Sequence, residues 1–157
     1  MKGKIICLMV MIFFVLTLCA QKGSRPDLRK GNATILNLDS SWQRIIFGQI
    51  YNAWKPSKED ILVSENLLSE CFNREKSLGH FSGNRFLINY TRQYFGFIDN
   101  KGNKIVWINC FIRNDASKDN TWKTFPTVVD DGGDCFFNLK VDTGKRQYYD
   151  LQINGHV

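Results

Sequence analysis

Few residues in this 157-residue chain are equipped for covalent, acid–base or metal chemistry: five cysteines, two histidines and the acidic run Asp130-Asp131-Gly132-Gly133-Asp134. A nucleophile needs a base within hydrogen-bond reach and a third group to orient that base. His80 sits in a Gly-punctuated loop beside Phe81, and His156 is the penultimate residue, where fraying is normal. Neither has an orienting partner in the sequence, so both read as ordinary histidines. No paired Cys/Cys or Cys/His spacing supports a zinc site. The acidic run lacks the alternate-residue oxygens of a calcium loop. It lies between an extended stretch and a strand, where Asp supplies local hydrogen bonds and Gly a positive φ, so it reads as a turn. The remaining acids are spread along turns and a helix's wet face, with no carboxylate pair suited to glycoside chemistry. The expectation is no catalytic residue, no metal and no cofactor. A small enzyme or ligand carrier, with a pocket between helix and sheet and His80 at its mouth, is the alternative.

The chain opens MKGKIICLMVMIFFVLTLCA. Two lysines, then an apolar run shorter than the about 20 residues of a membrane span, then a small residue, have the form of a secretory signal. Removal after Ala20 is expected, in preference to lipidation at Cys19, because Leu18 fills the place that lipid attachment reserves for a small residue. The product is then periplasmic or secreted and has no transmembrane segment. A net charge of +6 gives solubility and a mild attraction to anionic surfaces. Basic stripes interleaved with aromatics are lacking, and export argues against nucleic acid as a partner.

Residues 21–39 mix Gly, Pro, Asn and charge and read as a tether, with order expected only at 35–38. A domain over 40–157 follows. SWQRIIFGQIYNAW is rich in β-branched and aromatic residues and reads as a strand, with a short helix from Asp39 as the competing assignment. Ser57 followed by Glu59 and Asp60 starts a helix reaching about Arg74. Ile61, Leu68, Cys71 and Phe72 mark its inner side, and Lys58, Glu59, Glu65, Asn66 and Asn73 its wet side.

Beyond the loop at 78–85 the period becomes two. Strands over 90–99 and 104–113 turn at DNKGNK. Pairing Asp99 with Lys104 sets Phe97 opposite Val106 and Phe95 opposite Ile108, with Gly96 facing Trp107. Pro126 directs the segment TWKTFPTVV to a sheet edge. CFFNLKV and RQYYDLQI form a last hairpin with Cys135, Phe137, Leu139, Val141, Tyr149, Leu151 and Ile153 facing the core. Cys110 and Cys135 both point inward, so a cross-strand disulfide between them or two buried thiols are the expectations, with Cys71 a competitor for either partner.

The fold class is α+β: one N-terminal helix packed on a curved, antiparallel sheet of four to five strands. The order β-α-β-β-β-β resembles the cystatin-like architecture over 42–153. Cystatin inhibitors carry a Q-x-V-x-G hairpin and a P-W hairpin, whereas here the hairpins read DNKGNK and DTGKRQ, so the resemblance implies the fold without the inhibition. VWINCF, DDGGDCFFNL and YYDLQING also resemble small exported proteins of Gram-negative bacteria whose function is unassigned. On the sheet face away from the helix the parity places Tyr94, Trp107, Phe111, Phe136 and Tyr148, interleaved with Arg92, Asn109, Arg113, Asn138, Lys140 and Asp150. An aromatic patch rimmed by polar groups is the form of a partner site. The function expected is therefore non-enzymatic binding of an envelope protein or surface component.

Overall fold

The computed structural model describes residues 32–113 and 119–155. The expected signal segment, Cys19, most of the tether and His156 lie outside them. The elements in chain order are β1 (Ala33–Ile35), α1 (Ser40–Phe47), β2 (Asn52–Trp54), α2 (Lys58–Ser77), β3 (Thr91–Ile98), β4 (Lys104–Phe111), β5 (Phe136–Asp142) and β6 (Gln147–Ile153). The six strands make one mixed sheet in the order β1-β3-β4-β5-β6, and β2 shares the β1 edge of β3. β1 runs parallel to β3, whereas every other pair is antiparallel. The α+β class is as expected. The cystatin-like order is not observed, because the described residues hold two helices and a parallel edge strand.

The second helix is the first of these differences. Asp39 accepts hydrogen bonds from the N–H groups of Ser41 and Trp42, and Gly48 closes the far end in the left-handed region at φ 71°. This N-cap and C-cap override the β propensity of Ile45, Ile46 and Phe47. Order also begins earlier than a tether over 21–39 allows. Ala33 is buried in β1, and Leu36 and Leu38 are buried beneath α1.

α2 starts at a capping box in which Ser57 and Asp60 satisfy each other's backbone N–H groups. Its inner stripe is Ile61, Leu68, Cys71 and Phe72, packed on Tyr94, Val106, Ile108, Cys110, Phe137, Leu139 and Val141. Leu36, Leu38, Phe95, Phe97, Ile105 and Trp107 form a second cluster on the other sheet face, covered by Trp42, Ile46 and Phe47 of α1. The sheet is thus sandwiched, with α2 on one face and α1 on the other.

The hairpin register differs from expectation by one residue. Asp99 N–H donates to the Asn103 carbonyl at 3.0 Å, and Gly102 adopts φ 82°. A three-residue loop ending in a left-handed glycine therefore replaces the four-residue turn over 100–103 that pairing Asp99 with Lys104 implies. Phe95 now opposes Trp107, and Gly96 opposes Val106. With a side-chain period of two, that slip sends Phe95 and Phe97 to the α1 face and Arg92 and Tyr94 to the α2 face.

Gly96 lies where the chain between β2 and α2 crosses the sheet. A Cβ there would stand 2.5 Å from the Trp54 carbonyl oxygen and 2.8 Å from the Pro56 ring. Because the first of these atoms is backbone, Gly96→Ala is expected to cost about 3 kcal/mol, the upper range for overpacking a tight core. Urea unfolding checks this: a loss of a few tenths of a kcal/mol would mean that the β2–α2 connection yields easily.

Candidate binding groove

The residues expected on one aromatic face are divided between the two faces. Arg92 and Tyr94 face α2 and are buried, and Tyr148 packs partly buried on the same side, under the Arg74 guanidinium. Trp107, Phe111 and Phe136 remain on the other face, but it is largely covered. Phe47 of α1 lies edge-on to Trp107 with centroids 5.5 Å apart, and Trp122 lies edge-on to Phe111 at 6.2 Å. Arg113 stacks over Trp122 rather than standing at a free rim. The reasons are the register slip for Arg92 and Tyr94 and a β-bulge for Tyr148. Asp150 has φ 53° and the β5–β6 register shifts between Asn138 and Lys140, so Tyr148, not Tyr149, shares a face with Leu151 and Ile153.

Residues 121–129 form a strap across the sheet face, not an edge strand. After a short 3-10 turn (Thr121–Lys123) the strap is held by two buried amides. Gln93 Nε2 donates to the carbonyls of Trp122 and Phe125 at 2.5 and 2.7 Å, and Gln93 Oε1 accepts from Thr127 N–H at 2.9 Å. Asn109 Nδ2 donates to Gln93 Oε1 and to the Thr127 carbonyl at 2.9 and 2.8 Å. Side-chain amides here take the place of a strand partner, which suits a segment whose Pro126 has no N–H to offer.

Between α1 and this strap a groove of about 180 Å³ remains over β5 and β6. Trp107 and Phe136 line it, and its floor carries Asn138, Lys140, Asp150 and Gln152. Trp107 Nε1 donates to Asn138 Oδ1 at 3.1 Å, and Lys140 pairs with Asp150 at 2.5 Å, so the floor is nearly neutral. Ile45 on one wall is 65% exposed and Val128 on the other 50%. Of the residues expected on the binding face, the structure brings together Trp107 and Phe136 with Asn109, Asn138, Lys140 and Asp150. Ile45 and Val128 were not foreseen, although Asp39 and Gly48 flank the helix that presents Ile45. A second cavity of about 300 Å³ lies at the tips of the β3–β4 and β5–β6 hairpins. Its Asp99, Asp142 and Lys145 are engaged with their own turns. Burial, with Asp99 and Asp142 nearby, pushes the Tyr149 hydroxyl there up to about 12.

Cys71, Cys110 and Cys135 are free thiols. The disulfide between Cys110 and Cys135 is not formed, because Cys110 opposes Phe137 in the ladder and Cys135 lies beyond the end of β5 with its Sγ 2.9 Å from Arg85. Burial pushes the Cys71 thiol up to about 11 and Cys110 further, so both are poor nucleophiles. Among the described residues no group of His, Cys, Asp or Glu could hold a metal ion.

His80 does have a partner. Its Nδ1 lies 2.6 Å from the buried Glu75 carboxylate, which Arg74 also binds. Burial alone would raise the Glu75 carboxyl, but bonds from His80 and Arg74 outweigh it and hold it below its ordinary range. Neither groove described above includes His80.

The acidic run is a turn, with Gly132 at φ 141° and Gly133 at φ 56°. Its last member also clasps the loop after α2. Asp134 accepts from Ser82 N–H and hydroxyl, both at 2.6 Å, and from Arg85 Nε at 3.2 Å. Burial works against the ionised form, yet the Ser82 bonds and the Arg85 charge prevail, so the carboxyl sits below its ordinary 3.8. A depressed folded value means stability present above pH 3.8 and lost as pH falls through that lower value. Amide hydrogen exchange in 82–85 is expected to quicken across that window in the native protein. In Asp134→Asn it should be fast and pH-independent once intrinsic rates are removed. Equal pH dependence in both proteins would exclude the clasp.

The class that these features define is a two-helix α+β protein with a sandwiched mixed sheet and an open groove. Comparison with protein-family models, curated proteins and solved structures finds no match.

Proposed function

We propose that this is an exported, non-enzymatic binding protein of the cell envelope whose groove between α1 and the strap takes an extended segment of a partner protein. The observation that carries the reading is the groove's composition. Asn138 and Gln152, only 3.4 Å apart between their amide groups, offer donors and acceptors matched to a peptide main chain, and Ile45 and Val128 stand exposed on its two walls for apolar side chains. The internal Lys140–Asp150 pair leaves little net charge, which favours an uncharged segment. No helix among the described residues is long and apolar enough to cross a membrane, which is compatible with export.

A small enzyme or ligand carrier is the second reading, and the His80–Glu75 contact is what favours it, since a buried carboxylate orients the imidazole. Selection from a displayed library of random peptides separates the two. The binding reading expects enriched peptides with apolar residues at alternate positions, lost on Ile45→Asp and kept on His80→Ala. No enrichment, or enrichment indifferent to Ile45→Asp, overturns it.

A further inference from the structure

A second surface, sharing no residue with the groove, has a different chemistry. The connection between α2 and β3 displays Leu78 at 62% exposure and Phe86 and Ile88 each at 58%. These side chains are held outward by a fixed backbone. Ser82 and Arg85 are tied to Asp134, Lys76 Nζ donates to the Arg85 carbonyl, and the N–H of Asn89 bonds the Phe86 carbonyl at 2.9 Å. Cations accompany the apolar groups: Lys76 Nζ lies 4.3 Å over the Phe86 ring, and Arg74 has a side chain 58% exposed.

The chain enters the fold at this same end. Arg92 N–H donates to the Asn32 carbonyl at 3.0 Å, and the Arg92 guanidinium donates to the Leu87 carbonyl at 3.1 Å, so Asn32 and the apolar loop meet at one residue. Just upstream, residues 21–31 carry Lys22, Arg25, Arg29 and Lys30 against Asp27 alone.

We propose that this end of the molecule docks on an anionic phospholipid bilayer, with Phe86, Ile88 and Leu78 entering the headgroup boundary and Lys76 and Arg74 beside them meeting the lipid charge. Apolar tips beside basic residues suit the interface between headgroups and acyl chains. A fluid surface also requires no concave match, and these tips form none. None of the docking residues lines the groove between α1 and the strap, so a docked molecule would leave that groove open.

The test is vesicle co-sedimentation with residues 21–157. Every element and both core clusters lie within 33–153, so this chain keeps the whole fold without the leading apolar run. Vesicles of phosphatidylcholine are compared with vesicles containing an equal part of phosphatidylglycerol. Binding is expected on the anionic vesicles, weakened by salt as screening requires. Phe86→Ser/Ile88→Ser should weaken it at least about tenfold, with the thermal midpoint unchanged because both side chains are exposed. Ile45→Asp in the groove should leave it intact. Failure to bind anionic vesicles, equal binding by the double variant, or equal loss on Ile45→Asp each overturns the proposal.

Discussion

Arg92→Leu is expected to cost about 3–5 kcal/mol, the largest effect of any single substitution considered for this fold. Arg92 is 1% exposed in the middle of the α2–sheet interface. Its Nε lies 3.1 Å from Glu65 Oε1, and its remaining nitrogens donate to the carbonyls of Tyr90 and Leu87. Tyr94 hydroxyl donates to the same Glu65 oxygen at 2.5 Å. Burial pushes the Glu65 carboxyl up, and the Arg92 charge and the Tyr94 bond only partly oppose this. Without Arg92 the carboxylate is left uncompensated and its folded pKa rises further. A raised folded value means stability present below the ordinary 4.5 and lost as pH rises through the folded value. Arg92→Leu should therefore lose most at neutral pH and recover as pH falls toward 4.5. Urea unfolding at several pH values reads this directly. Glu65→Leu/Arg92→Met should restore most of the loss, because a well-packed apolar pair replaces buried ions at little net cost. A loss relative to the native protein that does not change with pH would show that Glu65 is already neutral in the native protein.

Glu65 also illustrates why part of this structure could be read from sequence and part could not. The α2 stripe, the strand parity of β4 and β5 and the turn at 130–134 were all legible, because apolar periodicity and Asp/Gly chemistry act locally. Glu65 shares the stripe of Ile61 and Leu68 by spacing alone, yet its charge assigned it to water. Only Arg92, 27 residues away, reverses that assignment. Arg92 in turn was assigned to the wrong face because the hairpin loop is one residue shorter than expected. Register errors propagate along a whole strand, so one misjudged turn also displaced Phe95, Phe97 and Tyr94. α1 was the reverse case: the signal was present in Asp39 and Gly48 but was outweighed by β-branched composition. The groove depends on all of these at once, which is why most of its floor was anticipated but its walls, with Ile45 and Val128, were not.

Gln93→Leu carries the second large effect, and it joins stability to the groove. The Gln93 side chain is fully buried and makes four hydrogen bonds, three to the strap and one to Asn109. Leucine matches its bulk but leaves the Trp122 and Phe125 carbonyls and the Thr127 N–H without that partner. Each polar group that cannot reach water costs about 1–3 kcal/mol. The strap is a surface segment, so it can lift and hydrate these groups in place of unfolding the whole protein. The global loss is then expected near 2–3 kcal/mol, below the sum of the separate penalties. Lifting the strap also removes Val128 from one wall of the groove while leaving Ile45 on α1. Hydrogen exchange should accordingly rise across 121–129 far more than in β3 or β4. Peptides selected on the native groove should bind Gln93→Leu at least about tenfold more weakly, in keeping with the loss of a preformed apolar wall. Global unfolding without local exchange in the strap would mean that strap and sheet form a single cooperative unit. Undiminished peptide binding by a folded Gln93→Leu would place the partner site elsewhere. The strap's position is a consequence of two amides, Gln93 and Asn109, on a face otherwise packed by apolar side chains such as Phe95 and Phe97. Apolar burial by α1 fixes one wall, and amide hydrogen bonds fix the other. A groove made this way can be widened by a single substitution on the second wall without disturbing the first.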